Sequence, residues 1–111
     1  MFAEVKSQLP VSGNGYDRDI IIQIRAAVAD LTKTSDIVLP GVVNISISDQ
    51  GVITDNSTLK DEYAITAIAL WCNMHIGNPP NYDNLSKSYY TIKGNMKMSH
   101  EYKAEPEGAK S

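Results

Sequence analysis

The four residues Gly77-Asn78-Pro79-Pro80 constrain the fold more than any other stretch, because they separate two helical patterns. A proline disrupts a helix interior, and glycine commonly closes a helix at its C-terminal end. The apolar residues on both sides recur at spacings of three and four, which is typical of amphipathic helices. The predicted buried positions are Tyr63 or Ala64, Ala67, Ile68, Trp71 or Cys72, and His75 in the first helix, and Tyr82, Leu85, Tyr89, Ile92 and Met96 in the second. We therefore predict two helices that are joined by a bend and packed together, with Gly77 capping the first and Asn81 or Asp83 starting the second.

The N-terminal third of the chain predicts two further helices. Phe2, Val5 and Leu9 have helical spacing, and the glycine-containing segment at residues 12–15 follows as a turn. Asp17 is a suitable N-cap for a longer helix. The apolar stripe of that helix consists of Ile20, Ile21, Ile24, Ala27, Val28 and Leu31. This pattern indicates a helix with one buried face.

The middle of the chain changes to a period of two. Val43, Ile45 and Ile47 alternate with polar residues, which is the pattern of a strand with one apolar face. The turn residues 49–51 then allow residues 52–54 to return as a second strand. Such a hairpin can cover the core, or it can offer an unpaired edge to a neighbouring subunit by strand addition. We favour strand addition.

These patterns predict a mainly α (α+β) fold, a compact bundle of three to four helices with one β-hairpin between the first long helix and the second. A chain of 111 residues fits one domain. We place this domain at residues 1–102 and a flexible tail at residues 103–111. Asn56, Ser57 and Thr58 are the candidate caps of the helix after the hairpin. The predicted helix-packing core consists of Ile20, Ile24, Val28, Leu31, Ile68, Trp71, Cys72, Tyr82, Leu85, Tyr89 and Ile92.

Composition argues against several classes of function. The formal net charge of −3 disfavours tight binding to duplex DNA, which normally requires a concentrated basic surface. One cysteine and two histidines are too few for a structural zinc site. The longest apolar run is far shorter than the roughly 20 residues that span a bilayer, and the N-terminus has no export signal. We expect no cofactor, no metal and no membrane partner.

Cys72 and His75 lie three positions apart and would share one side of a helix. They could therefore form a thiolate–imidazole pair or two ligands of a metal. The sequence places no orienting carboxylate or third ligand at a useful spacing, and a buried cysteine behaves as a small hydrophobic residue. We predict that both residues belong to the packing and that the chain has no catalytic residues.

Surfaces for other subunits are predicted from apolar residues outside the core. Tyr90 lies beside the apolar seam of the last helix; tyrosine is enriched at protein interfaces, although single exposed aromatic residues are also common. The predicted interface comprises Val43, Ile45, Ile47, Tyr90 and Tyr102. The last helix and the residue beyond it also carry the lysines Lys87, Lys93, Lys97 and Lys103. We interpret these lysines as a solvated face, with contact to a phosphate backbone as the alternative.

Two segments carry a resemblance to a known family. The first, "EVKSQLPVSGNGYDRDIIIQIRAAVADL", has a short helix ending in Leu9, a polar turn and a long amphipathic helix. The second, "DEYAITAIALWCNMHIGNPPNYDNLSKSYYTIKGNMKMSHEY", is more distinctive. It has Ala64-Ile65 at the start of a helix, Trp71 within it and residues 75–78 at its end, followed by Tyr82, Leu85, Ser88-Tyr89 and Lys93. Together they resemble the small head-tail connector, or adaptor, proteins of tailed bacteriophages. The segment at residues 42–56 departs from the short link of the smallest family members.

The resemblance implies a structural, non-enzymatic role. Family members form a homo-oligomeric ring, twelve-fold on the portal protein, and they extend the DNA channel towards a tail-side stopper or tail completion protein. It implies a location at the head-tail interface of the virion, after synthesis in the cytoplasm of the bacterial host. Double-stranded DNA would pass through the ring without specific binding, which agrees with an acidic chain. The alternative function is a small DNA-binding or DNA-packaging accessory module of the helix-turn-helix type.

Overall fold

The computed structural model of the protein describes residues 1–76 and 79–103. In chain order, the elements are α1 (Phe2–Ser7), α2 (Asp17–Ala29), β1 (Ile45–Ile47), β2 (Ile53–Asp55), α3 (Glu62–His75) and α4 (Tyr82–Met98). A π-helical turn, Asp30–Thr34, continues α2, and a 3-10 turn, His100–Tyr102, follows α4. These helices and the antiparallel hairpin confirm the predicted mainly α (α+β) bundle, with the hairpin between α2 and α3.

Helix α3 lies at the centre of the bundle and contacts α1, α2 and α4. Its buried face combines small and large side chains, since Ala64 and Ala67 are fully buried beside Ile68. Alanine on this face allows neighbouring helices to approach closely, and Ile68 fills the space between them. The central position of α3 explains why its sequence is apolar over more than one narrow stripe.

The N-cap of α3 is Asp61, whose carboxylate accepts a hydrogen bond from the N–H of Ala64 at 3.1 Å. The predicted caps at residues 56–58 were therefore wrong. Two of those side chains serve the hairpin instead, because Ser57 Oγ and Thr58 Oγ1 accept hydrogen bonds from main-chain N–H groups of the opposite strand segment.

The N-cap of α2 is Tyr16, so the prediction of Asp17 as the cap was wrong by one residue. Asp17 lies in the first turn and is 7% exposed. Its carboxylate forms an ion pair with Lys6 Nζ at 2.6 Å, and a carboxylate at this end of a helix also interacts favourably with the helix dipole. Asp17 therefore joins α2 to α1.

Most of the predicted core is confirmed. Buried side chains from that set are Ile20, Ile24, Leu31, Ile68, Cys72, Leu85 and Tyr89, while Val28, Trp71 and Ile92 are partly buried and pack against them. Tyr82 is a correction, because its side chain is 47% exposed. It is the first residue of α4, and helical side chains tilt towards the N-terminus. The Tyr82 side chain therefore extends past the end of the helix instead of packing on α3.

The C-terminal end of the described chain folds back onto the bundle. Tyr102 is 4% exposed and donates a hydrogen bond from its hydroxyl to the Asp61 carboxylate. Its carbonyl accepts from the Val38 N–H at 2.8 Å. The prediction of Tyr102 as an exposed contact residue was therefore wrong, because the 3-10 turn brings it back to the start of α3. Residues 104–111 of the predicted tail and the predicted cap Gly77 lie outside the described residues.

Candidate subunit interface

The hydrogen-bonded ladder of the hairpin extends beyond the residues of β1 and β2. Ile45 pairs with Asp55 and Ile47 with Ile53 in the antiparallel register. Main-chain bonds continue outward, from Asn56 N–H to the Asn44 carbonyl at 2.8 Å and from Thr58 N–H to the Val42 carbonyl at 2.8 Å. The ladder therefore spans residues 42–58, with a turn at residues 49–51 in which Gly51 has a positive φ of 83°.

The register also decides where the outer edge of β1 faces. In an antiparallel ladder, bonded and non-bonded pairs alternate, and the 44–56 and 48–52 pairs are bonded. The main-chain groups of Ile45 therefore point away from β2. Arg25 of α2 donates to the Ile45 carbonyl at 2.6 Å, and Arg18 donates to the Ser48 carbonyl at 3.1 Å. Ser48 belongs to a bonded pair, and its carbonyl also accepts from the Gly51 N–H, so it is Arg25 that occupies the outer edge of β1, at Ile45.

This arrangement disfavours the predicted strand addition at β1, because the Ile45 carbonyl is already bound by Arg25. The Ile45 side chain is 4% exposed and belongs to the subunit's own core, and the half-buried Val43 and Ile47 pack against the same core. The apolar face of the strand is the inner face of the hairpin. Its outer face carries mainly serine, threonine and asparagine, and the exposed Val42 and Val52 lie at its two ends.

One member of the predicted interface, Val43, lines an open groove that the sequence did not predict. The groove has a volume of about 550 Å³. Its walls are mostly aliphatic and come from the end of α2, the π-helical turn and the segment leading to β1. The lining residues are Val28, Thr32, Asp36, Ile37, Val38, Leu39, Gly41 and Val43, and we call this surface the Val43 groove.

Two backbone features shape the Val43 groove. Asp36 adopts a left-handed conformation with φ of 57°, which turns the chain after the π-helical turn. Gly41 lies so close to the hairpin that an added Cβ would be 2.6 Å from the Leu59 Cα. No side chain fits there. These two positions hold the segment at residues 36–41 against the bundle, and Val38 within it remains 45% exposed.

The second candidate surface is the side of α4 that faces away from the core. Leu85, Tyr89 and Met96 mark the buried side of this helix. By helical spacing, the opposite side carries Lys87, Tyr90, Gly94 and Lys97, and we call these four residues the α4 outer face. Tyr90 is 55% exposed. The sequence therefore predicted correctly that the Tyr90 side chain lies outside the core.

Gly94 has open space around it in the part of the chain that the structure describes. A Cβ added at this position would have nothing within 4 Å. Glycine inside an exposed helix lowers stability by about 1 kcal/mol relative to alanine. The fold of the single subunit therefore gives no reason for glycine here.

A cluster of charged and aromatic side chains connects α4 to the π-helical turn that follows α2. Asp30, the first residue of the π-helical turn, accepts hydrogen bonds from the Tyr89 hydroxyl and from Lys93 Nζ at 3.0 Å. Lys93 Nζ also lies 4.6 Å from the ring centroid of Tyr90, and the Tyr89 and Tyr90 rings meet edge to face at 5.3 Å. Burial raises the pKa of Tyr89, and Asp30 raises it further. This cluster fixes the orientation of Tyr90 before any partner binds.

Cys72 and His75 do not form the thiolate–imidazole pair that their spacing would allow. Cys72 is fully buried, and burial raises the pKa of its thiol to about 12. His75 is exposed, stacks on Trp71 at 4.3 Å, and has Nδ1 2.8 Å from the Trp71 carbonyl. Trp71 in turn donates to Gln23 Oε1 at 3.0 Å. Cys72 therefore belongs to the packed core, as predicted. His75 was also predicted to be packed, but its side chain lies at the surface.

The described residues, 1–76 and 79–103, hold neither a cluster of metal ligands nor a helix that could span a membrane. In that part of the chain, no three His, Cys, Asp or Glu side chains come together in a way that could hold a metal. Within the same ranges, no helix is long and apolar enough to cross a membrane.

Sequence reasoning missed the groove, because its lining residues come from an irregular segment without a period. The only local signal was the breaker residues Pro40-Gly41 after an apolar run. Asp36 gives only a weak signal for its left-handed conformation, because aspartate is enriched there but also common elsewhere.

Comparisons with known proteins give no relative for this chain: no family model matches it, and no curated protein or solved structure does so either.

Proposed function

We propose that this protein is a structural subunit of a tailed-bacteriophage particle, a head-tail connector that forms a ring beneath the portal. In this role it extends the DNA channel towards the tail-side stopper or tail completion protein, and it acts without catalysis. The location is the head-tail interface of the virion. The sequence resemblance gives the family, and the surfaces described above support the mode of assembly.

One observation carries the proposal: the subunit has two unlike candidate contact surfaces, the Val43 groove and the α4 outer face. A closed ring requires heterologous contacts, in which one surface of a subunit meets a different surface of the next. A groove with aliphatic walls and an exposed tyrosine are both features of surfaces that contact other proteins. These surfaces therefore favour self-assembly over a solitary module.

Charge supports passage of DNA rather than capture. The formal net charge is −3, and Lys93 is engaged by Asp30. Each phosphate that a protein neutralises adds affinity, so a channel through which DNA slides should offer few such contacts. The alternative of a helix-turn-helix module would need an exposed helix with a concentrated basic surface.

The test is native mass spectrometry of the full chain, alone and mixed with the portal protein encoded in the same genome. We expect an oligomer of fixed size alone and a joint complex with the portal, visible by electron microscopy as a ring on the portal axis. Absence of any complex with the portal would contradict the proposed function. Binding to duplex DNA at moderate salt, in the absence of portal binding, would instead favour the DNA-binding module.

A further inference from the structure

We propose that the α4 outer face of one subunit docks into the Val43 groove of a second copy, with Tyr90 as the anchor. This inference rests on the proposed ring, since it names the two surfaces through which neighbouring subunits would meet. It assigns a role to the groove, to the Asp36 carboxylate and to Gly94.

The Val43 groove and the Tyr90 side chain match in shape and polarity. The groove is concave and has aliphatic walls, including Val28, Leu39 and Val43. Its volume of about 550 Å³ lies in the range of sites that accept a bulky apolar group. Tyr90 is a large, exposed aromatic side chain that is already held by Tyr89 and Lys93. Protein interfaces often depend on such an aromatic anchor in a pocket, because its burial costs little conformational freedom.

Charge is the second argument. Among the described residues, Asp36 is the one charged residue that lines the Val43 groove. The α4 outer face carries Lys87 and Lys97 on the two sides of Tyr90 along the chain. Among residues 1–76 and 79–103, neither these lysines nor Asp36 take part in an ion pair. The two surfaces are therefore complementary in charge, and docking would bring a lysine of one copy to Asp36 of the next.

Gly94 is the third argument. It lies one helical turn after Tyr90, in the middle of the α4 outer face, and faces open space. A residue without a side chain at this point would allow the rim of the groove to approach the backbone of α4 closely. The close approach of a second copy explains a glycine that the isolated helix does not need.

The two surfaces also have the right arrangement for successive docking. Asp30 contacts α4, whereas Val28 and Thr32, two residues to either side, line the groove. Residues two apart on a helical backbone point in nearly opposite directions. The α4 outer face and the groove therefore lie on different sides of the subunit. One copy can use both surfaces at once, so the contact is heterologous and continues from copy to copy.

A different occupant, the C-terminal segment of the same chain, fits the groove less well. The described chain ends near the groove, because the Tyr102 carbonyl accepts from the Val38 N–H. The remaining sequence, "AEPEGAKS", has no large apolar side chain to fill an aliphatic groove. A second copy is therefore the better partner.

Cross-linking tests the pairing directly. Lys87→Cys places a thiol on the α4 outer face and keeps the Tyr90 anchor, and Val38→Cys places one in the groove; Cys72 is buried and stays out of the reaction. With a short thiol-to-thiol cross-linker, we expect the double variant to form a ladder of covalent oligomers. A mixture of the two single variants should give only a covalent dimer, and each single variant alone should give none.

Three results would overturn the pairing. A covalent dimer from Lys87→Cys alone would show that two α4 helices meet face to face. The absence of a ladder from the double variant would exclude the groove as the partner. If native mass spectrometry still showed a ring, the proposed function would survive this result. A monomer at every concentration would also exclude it. A ladder without portal binding would leave the pairing intact and contradict the connector function.

Self-association of variants gives an independent measurement. Gly94→Gln adds a side chain in the middle of the α4 outer face, and we expect it to raise the dissociation constant of the oligomer at least tenfold. Ser88→Gln is the matched control, because Ser88 is exposed on a different side of the same helix; its dissociation constant should stay within twofold of wild type. Equal effects of the two variants, measured by sedimentation, would contradict the proposed contact.

Discussion

The Tyr89 hydroxyl donates a hydrogen bond of 2.5 Å to the carboxylate of Asp30, although the two residues are 59 positions apart in the chain. Asp30 begins the π-helical turn after α2, and Tyr89 is fully buried in the middle of α4. This bond therefore fixes the end of α2 against α4. Tyr102 and Asp61 repeat the same pairing at the start of α3, so two tyrosine–aspartate bonds hold the C-terminal third of the described chain in place.

Tyr89→Phe should lower the free energy of unfolding by about 2 kcal/mol, because a hydrogen bond to a charged group contributes about 1.5–3 kcal/mol. Asp30 would keep Lys93 as its partner, which limits the loss. Urea denaturation followed by circular dichroism measures this change as a lower midpoint, while the dependence of the free energy of unfolding on urea concentration stays the same. Tyr90→Phe is the control, because Tyr90 is exposed; its midpoint should match wild type. A wild-type midpoint for Tyr89→Phe would show that the Asp30 bond does not stabilise the fold.

Stability should fall as the pH rises above about 8.5, the ordinary pKa of a cysteine such as the buried Cys72, and fall more steeply above about 10, the ordinary pKa of tyrosine. Burial raises the pKa of Tyr89 and of Tyr102 in the folded state, and the neighbouring carboxylates raise it further. Above pH 10 the unfolded chain releases these two protons while the folded chain keeps them. The folded state then binds more protons, so the free energy of unfolding decreases with pH.

The measurement is the urea midpoint between pH 8 and pH 11 for wild type and for Tyr102→Phe. The phenylalanine variant should lose less stability over this interval, because it has one fewer group that the unfolded chain can deprotonate. Tyr82→Phe, at an exposed position, controls for general effects of alkaline pH on lysines. The same loss in all three proteins would mean that the buried hydroxyls do not cause the alkaline dependence.

The helices could be predicted because their apolar residues repeat with a period that only a helix satisfies. Ile20, Ile24 and Leu31 were assigned to the core on this basis, and all three are buried. The hairpin was predicted from its period of two in the same way. Element ends were less accurate, because the choice between capping residues depends on where other segments lie. Ser57, for example, is a good cap in isolation but is used by Asn44.

The candidate interface was predicted only in part. Tyr90 was placed outside the core because it lies off the helical stripe, whereas Ile45 and Tyr102 were placed outside and are buried. Both errors arise from contacts between distant residues, since Arg25 covers the β1 edge and Asp61 binds Tyr102. No local pattern shows which side of a strand edge a helix will cover. The Val43 groove was missed for the same reason.

Gly41 and Gly94 should respond in opposite ways to substitution by alanine. A Cβ at residue 41 would be 2.6 Å from the Leu59 Cα and 2.8 Å from its nitrogen. Both are backbone atoms that cannot rotate away, so Gly41→Ala should lower the free energy of unfolding by about 3 kcal/mol, the upper range for overpacking. A Cβ at residue 94 has open space, so Gly94→Ala should raise it by about 0.5–1 kcal/mol. Thermal unfolding of the dilute subunit measures both.

The contrast between the two glycines is the informative result. If Gly41→Ala were neutral, the segment at residues 36–41 would not press on the hairpin, and the Val43 groove would lack its rigid wall. If Gly94→Ala were strongly destabilising, residue 94 would have a role within the subunit, and its glycine would no longer indicate close approach by a second copy.

Cys72 should react slowly with an alkylating reagent in the folded protein. Its thiol is fully buried, and burial raises its pKa to about 12, whereas an unfolded cysteine has a pKa near 8.5. Because the thiolate is the reacting form, alkylation with iodoacetamide at pH 8 should be at least about 100-fold slower in buffer than in urea. An added cysteine at an exposed position, Ser88→Cys, should react in buffer at the rate of a free thiol and shows that the reagent is active. Rapid alkylation of Cys72 in the folded protein would instead indicate an accessible thiolate beside His75, and it would favour a thiol-dependent enzyme over a structural subunit.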